Sequence, residues 1–178
     1  MATADVKMGI ETPPVTEEER TAHIEALKQR LTANSAIYKI FLSDATLHSV
    51  SRGVVTLRLT LSETHVNSRK GLHGAVSAAI VDFSTGLSIA SWDLRSQTGA
   101  SVDMHISYLS TAAVGDVLEI VATAERVGGS MAYTTCRISK VGENGETKLV
   151  TLGQHTKFVK LPGQQTAAKS AGNACSET

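Results

Sequence analysis

The spacing of apolar residues predicts two helices near the start of the chain. Residues 17–32 carry apolar side chains at helical spacing, directly after a capping box formed by Thr16 and Glu19. Ser35 is the expected cap of a second, short helix over residues 35–41. We expect the first helix to act as a lid or a packing element without chemistry of its own.

The apolar pattern changes to that of strands at residue 45 and returns once to that of a helix. A loop over residues 63–71 precedes a long apolar helix that ends near Trp92. The predicted strands, separated by glycine-containing turns, are 45–51, 54–62, 100–109, 117–127, 131–141 and 147–159. Two strands, a long helix and four strands predict an α+β fold, in which an antiparallel sheet of about six strands wraps around the central helix.

Composition divides the chain into four segments. Residues 1–15 and 161–178 are predicted to be disordered, because the first contains Pro13-Pro14 and the second is rich in Gln, Ala, Ser and Gly. Residues 16–43 form an N-terminal helical segment, and residues 44–160 form the main domain.

Charge and cysteine usage exclude several classes of function. Lys+Arg and Asp+Glu are both 17, without a basic patch, which argues against nucleic acid as the main ligand. Cys136 and Cys175 lie too far apart for a disulfide framework, and no secretory signal is visible, so we expect an intracellular protein, cytoplasmic or mitochondrial. The central apolar helix contains many Ser and Thr residues, which predicts burial in a soluble fold rather than membrane insertion.

The candidate chemistry lies in the central segment. Between Leu72 and Trp92, Asp82 is the only Asp, Glu, Lys or Arg, and a lone charge in a buried helix must be paired, hydrogen-bonded or functional. The turn that ends at Gly74 leaves free backbone N–H groups at the helix start, which attract negative charge. An oxyanion site and a candidate base therefore lie close in sequence, as attack on a carbonyl requires.

The spacing of these two groups suggests an oligomer. Gly74 and Asp82 are eight residues apart, which is about 12 Å along a helix axis. One substrate carbonyl cannot contact both groups of a single helix. If they cooperate, two subunits pair antiparallel and each supplies one half of the site, so we expect a homodimer or a larger homo-oligomer.

These residues carry a family resemblance over about residues 45–160. The chain resembles the hotdog-fold acyl-CoA thioesterases, and within them the branch of the phenylacetate-pathway thioesterases and thioesterase superfamily member 2. The motifs that carry the resemblance are Asn67, His73-Gly74, Asp82, Gly99-Ala-Ser101-Val-Asp-Met, Gly115-Asp116 and Gly153-Gln-His155-Thr-Lys157.

The resemblance implies hydrolysis of an acyl-CoA thioester by water, without a metal or a serine nucleophile. Asn67 and the backbone N–H of Gly74 would polarise the thioester carbonyl. Asp82 from the facing subunit would activate the water as general base, with direct attack by the carboxylate left open. Coenzyme A enters as part of the substrate, and no separate cofactor is expected.

Further roles follow from the same resemblance. Ser101 would hold the water or the carboxylate, and His73 would order the loop or lie near the leaving thiolate. Ala75 departs from the family, which often has a second glycine there, so its methyl group narrows the approach to the helix start.

Other residues are candidates for contacts with the substrate. The predicted lining of an acyl tunnel is Val76, Ile80 and Phe83. The predicted contacts of the coenzyme A phosphates are Arg69, Lys70, His155, Lys157 and Lys160, for which a solvated loop and strand end is an equal alternative.

The strand that follows the central helix alternates between polar and apolar residues. Strict alternation places Ser101, Asp103, His105 and Ser107 on one face, toward water or another subunit. An Asp-x-His pair alone makes a weak metal motif, and we predict no metal site.

Two alternative functions stay open. One is a hydratase or dehydratase of the same fold, although the single aspartate suits hydrolysis better. The other is a non-catalytic module that binds acyl-CoA or lipid. No serine-hydrolase elbow, P-loop, dinucleotide fingerprint or zinc-protease motif is present.

Overall fold

The computed structural model describes residues 15–159. The disorder predicted for residues 1–15 and 161–178 therefore falls, except at Val15, on residues outside this range. Lys160 lies outside it as well.

The two N-terminal helices form as predicted. Helix α1 is Glu17–Asn34 and helix α2 is Ala36–Leu42. The capping box is present, with the Glu19 N–H donating to Thr16 Oγ1 at 3.2 Å and the Thr16 N–H donating to Glu19 Oε2 at 2.9 Å. Ser35 ends α1 and caps α2, so a single residue sets the corner between the helices.

The sheet confirms the predicted class and order of elements. Its strands pair only antiparallel, in the order β1-β2-β4-β5-β6-β3. A 3₁₀ turn over Glu63–His65 and helix α3, Gly74–Asp93, separate the second strand from the third. The strands are β1 (Thr46–Ser51), β2 (Val54–Thr60), β3 (Ala100–Tyr108), β4 (Val117–Val127), β5 (Met131–Val141) and β6 (Thr147–Phe158).

Helix α3 lies across one face of the sheet and forms the centre of the core. It packs against β2, β4, β5 and β6, while α1 and α2 cover other parts of it. Among the described residues it is the one helix long and apolar enough to cross a membrane, but 72% of its apolar window is buried inside the fold. Burial in a protein core accounts for its composition.

Close contact between α3 and β6 fixes the position of the helix. A Cβ atom added to Gly153 would lie 2.8 Å from both methyl carbons of Val81, the residue before Asp82. Glycine is thus required here by close packing, without any unusual backbone angle.

We expect Gly153→Ala to lower the free energy of unfolding by about 1–3 kcal/mol, because the new methyl group must push the helix away from the sheet. Urea denaturation of the variant measures this loss. Gly142→Ala is the matched control, since its Cβ would lie 3.4 Å from its nearest neighbour, Glu146 O. Equal stability of the two variants would contradict the tight contact.

Candidate active site

At the start of α3 lies a backbone donor, the Gly74 N–H, that none of the described residues accepts from. His73 is the N-cap, and its Nδ1 accepts a hydrogen bond from the Ala75 N–H at 3.0 Å. Gly74 is the first helical residue, so its own N–H has no acceptor within the helix. The His73 N–H donates to the His65 carbonyl at 2.9 Å, which fixes the chain as it enters the helix. His73 therefore caps the helix and fixes the turn that leads into it.

Asn67 shapes the loop before this turn and keeps its amide donor. Its Oδ1 accepts hydrogen bonds from the N–H groups of Arg69, at 2.9 Å, and Gly71, at 3.3 Å. The pairing of Val66 with Leu72 closes the loop. Since the carbonyl oxygen of the side chain is used locally, the Nδ2 group is the part of Asn67 that suits a substrate oxygen.

Asp82 is held by donors from three other elements. Its Oδ2 accepts a hydrogen bond of 2.6 Å from the Tyr38 hydroxyl on α2. Its Oδ1 accepts from Lys157 Nζ on β6 at 2.7 Å and lies 3.3 Å from the Ser101 hydroxyl on β3. The Asp82 side chain is 31% exposed, whereas that of Lys157 is 4% exposed.

These donors keep Asp82 ionised. Burial acts to raise the pKa of Asp82, but the charge and hydrogen bond of Lys157, together with the hydrogen bond of Tyr38, outweigh burial and lower it. Burial and the adjacent carboxylate raise the pKa of Tyr38. Tyr38 is thus a neutral donor, and Asp82 a charged acceptor, at neutral pH.

His155 contacts the Ser101 hydroxyl, which in turn contacts Asp82. Its Nδ1 lies 2.8 Å from Thr85 Oγ1 and its Nε2 lies 3.0 Å from Ser101 Oγ. Burial, followed by the charge of Lys157, lowers the pKa of His155 to about 4, so the ring is neutral at pH 7.

The two tautomers of this ring differ in the hydrogen bonds that they allow to Asp82 and to Thr85. With the proton on Nε2, His155 donates to Ser101, and the Ser101 hydroxyl donates to Asp82. That tautomer would need the Thr85 proton at Nδ1 and would cost the hydrogen bond of 2.7 Å that the Thr85 hydroxyl donates to the Val81 carbonyl. With the proton on Nδ1, Ser101 would donate to His155 instead and would leave Asp82 without that bond.

The position of Ser101 corrects the predicted strand alternation. The pairing of β3 with β6 shifts register between Ser101 and Asp103, as at a β-bulge. Ser101 therefore faces α3, while His105 and Ser107 line a depression on the outer face of the sheet. The predicted common face of Ser101, Asp103, His105 and Ser107 is wrong at its first member.

Two of the predicted phosphate contacts lie in the interior. His155 is 1% exposed and Lys157 is 3% exposed, and both contact the Asp82 cluster. Because both side chains are buried and already have partners in the fold, the structure argues against a phosphate contact for either of them. Arg69 and Lys70 lie in an exposed loop, where Lys70 pairs with Glu63 at 2.9 Å.

The three residues predicted to line an acyl tunnel belong to the hydrophobic core of the single chain. Val76, Ile80 and Phe83 are at most 2% exposed and pack within one core cluster. Phe83 packs against the Tyr38 ring of α2. In the described chain these three residues fill the hydrophobic core instead of lining an acyl tunnel.

The sequence did not predict the role of Tyr38. This residue lies in an otherwise apolar helix, AIYKIFL, apart from Lys39, and its ring packs against Phe83 with centroids 5.0 Å apart. A buried tyrosine usually finds a hydrogen-bond partner for its hydroxyl, and this tendency is the only feature of the sequence that points to a role for Tyr38. Nothing in the sequence pattern identified Asp82 as that partner.

The structure keeps the two halves of the predicted site on one helix. Gly74 and Asp82 both belong to α3, so about 12 Å of helix axis separates them within one chain. The described residues contain no group of three or more His, Cys, Asp or Glu side chains that could hold a metal ion. One chain thus presents an amide-rich half-site and a carboxylate half-site.

Comparison with known proteins defines the class of this one. Residues 70–147 match the model of the Thioesterase superfamily. Human acyl-coenzyme A thioesterase 13 is 32% identical over 118 residues, which are 66% of this chain and 81% of the human protein. Caenorhabditis elegans F42H10.6 is 32% identical over 115 residues, and the match spans 65% of that protein's length.

A solved structure gives the same result for the fold. Zebrafish thioesterase superfamily member 2 superposes with a TM-score of 0.67 at 29% identity, over 82% of this chain and 99% of the zebrafish chain. The fold is that of a hotdog-fold thioesterase. The chain belongs to the thioesterase superfamily, and the predicted family and enzyme class are confirmed.

The ion pair between Lys157 and Asp82 leads to a stability prediction. Lys157→Met should lower the free energy of unfolding at pH 7 by about 1–3 kcal/mol, less than for a fully buried pair because Asp82 reaches solvent. A carboxylate with a lowered pKa contributes stability above its ordinary value of 3.8 and loses that contribution as the pH falls through the lowered one. The difference from wild type should therefore shrink in acid.

Urea denaturation at a series of pH values measures this effect. Lys148→Met is the matched control, because Lys148 is an exposed lysine on the same strand. A loss of stability that does not vary with pH would show that the ion pair is not its source.

Proposed function

We propose that this protein hydrolyses acyl-CoA thioesters to a free acid and coenzyme A. The observation that carries the proposal is the ionised Asp82 on the central helix, held at both oxygens while still reaching solvent. The name of the human relative, acyl-coenzyme A thioesterase 13, supplies the substrate class.

The reaction needs one nucleophile, one base and one oxyanion site. The oxygen of water bonds to the thioester carbonyl carbon while Asp82 accepts a proton from that water. The carbonyl oxygen, now negative, accepts hydrogen bonds from the Gly74 N–H and Asn67 Nδ2. The carbon–sulfur bond then breaks, and the thiolate takes the proton held by Asp82 to leave as coenzyme A, which restores the carboxylate.

The hydrogen bonds of Asp82 leave room for this water. A carboxylate offers about four acceptor positions, and Tyr38, Lys157 and Ser101 occupy three of them. The remaining position is on Oδ2. The lowered pKa weakens Asp82 as a base, which is the physical reason to keep direct attack by the carboxylate as a second route.

The complete site requires a second copy of the chain. Strand β3 is an edge of the sheet and exposes Val102, Met104 and Tyr108, at 57%, 38% and 58%. At the opposite edge, α1 packs against β1. An edge strand that no other described residue pairs with, and that exposes apolar side chains, favours pairing between two β3 strands, which would bring the two α3 helices side by side. Each carboxylate half-site would then face the amide half-site of the partner.

A non-catalytic acyl-CoA-binding module is the alternative. It is favoured by the number of donors around Asp82, since such a carboxylate is also typical of a purely structural ion pair. The proposal includes an intracellular location, cytoplasmic or mitochondrial, and it needs no cofactor besides the coenzyme A of the substrate.

Asp82→Asn separates the two functions. The variant should lose about 10²–10⁴-fold in kcat for thiol release from acyl-CoA substrates, because the amide cannot accept the proton of water. Binding of coenzyme A, measured by calorimetry, should persist. Asp93→Asn is the matched control at the far end of the same helix, where Asp93 pairs with Arg95. A wild-type protein that binds acyl-CoA and releases no thiol would favour the binding module.

Mixing two inactive variants tests the composite site. Gly74→Pro removes the N–H donor at the first helical position, where proline is well tolerated, and His73 already has the extended backbone (φ −73, ψ 132) that proline requires before it. Gly74→Ala, which keeps the N–H, is its control. Subunits of Gly74→Pro and Asp82→Asn, unfolded together and refolded, should recover about a quarter of wild-type activity, since half of the dimers carry one intact site. A refolded mixture that recovers no activity would contradict a site shared between subunits.

A further inference from the structure

Helix α2 contacts the catalytic machinery through one side chain. The Tyr38 hydroxyl lies 2.6 Å from Asp82 Oδ2, the shortest of the contacts around this carboxylate. The Tyr38 ring meets Phe83 edge-on, at 64°. Packing against Phe83 thus fixes the ring whose hydroxyl meets Asp82.

We infer that Tyr38 is a positioning residue for Asp82, through which the N-terminal helical segment sets the direction of the catalytic carboxylate. This inference rests on the proposed function, because it concerns the same reaction. It gives a role in the reaction to α2, a helix for which the sequence predicts only the cap at Ser35.

The distribution of donors between the two oxygens carries the argument. Lys157 and Ser101 both contact Oδ1, and Tyr38 is the donor to Oδ2. A carboxylate held at one oxygen can still rotate about its Cβ–Cγ bond. The Tyr38 hydrogen bond fixes the carboxylate plane, and with it the direction of the free acceptor position on Oδ2 that the water would use.

Helix α2 also joins the two half-sites of one chain. The ring of His65, which is 3% exposed, contacts the Phe41 carbonyl of α2 through Nε2 at 2.9 Å. The His65 carbonyl accepts the hydrogen bond from the His73 N–H at the start of α3. One short helix is therefore tied to the amide half-site at Phe41 and to the carboxylate half-site at Tyr38.

Tyr38→Phe tests the inference, because it removes one oxygen atom and keeps the ring packed against Phe83. We expect kcat/KM to fall on the order of 10- to 100-fold, mainly through kcat, as for loss of a hydrogen bond to a charged group. Tyr133→Phe is the matched control, since Tyr133 is 48% exposed on β5. Equal activity of Tyr38→Phe and wild type would overturn the inference.

A second measurement separates positioning from mere stability. The titration of Asp82, followed by carboxyl carbon NMR and assigned with Asp82→Asn, should move to higher pH in Tyr38→Phe. The other groups that face Asp82, namely Lys157, His155 and Ser101, with Asp103 near His155, are unchanged in the variant. An unchanged titration would overturn the inference even if activity fell.

A double mutant completes the test. If Tyr38 acts through Asp82, Tyr38→Phe should have no further effect on the residual rate of Asp82→Asn. Independent, multiplying losses would show that Tyr38 acts elsewhere and would overturn the inference. A wild-type protein without thioesterase activity would defeat the proposed function, and the NMR titration would still decide whether Tyr38 controls Asp82.

Discussion

The single carboxylate on the central helix is the constraint on which the rest of the site depends. Helix α3 must be apolar to fill the core, and Asp82 places a charge on it. An unpaired charge in such surroundings would either become protonated or destabilise the fold. The ammonium group of Lys157 prevents both outcomes, since it is itself buried and 2.7 Å away.

Meeting this constraint fixes the register of several elements at once. A one-residue slip of β6 would turn Lys157 and His155 to the outer face of the sheet. The bulge in β3 turns Ser101 toward α3 beside Asp82, so that its hydroxyl lies 3.3 Å from the carboxylate. The same contacts that hold the carboxylate therefore specify how the sheet lies on the helix.

The sequence predicted the elements well because their signals are local. The capping box at Thr16, the caps at Ser35 and the period of the strands depend on neighbouring residues, and the structure follows them closely. Asp82 was recognisable as the only charge of an apolar run. Tyr38 and Lys157 were not recognisable as its partners, because they lie 44 and 75 residues away in sequence and meet it only through tertiary packing. The inward turn of Ser101 depends on a bulge, which strict alternation excludes.

In the proposed mechanism, the donors around Asp82 also set how much the reaction depends on each of the two half-sites. Each hydrogen bond that keeps the carboxylate ionised lowers its pKa and weakens it as a base. A weak base transfers protons effectively only when the attacked carbonyl is strongly polarised. In the proposed mechanism the Gly74 N–H and the Asn67 amide would supply that polarisation. A site of this kind would depend more on its oxyanion half than a site built around a carboxylate of raised pKa. Because the oxyanion half would compensate for a weak base, the ion pair with Lys157 is compatible with hydrolysis.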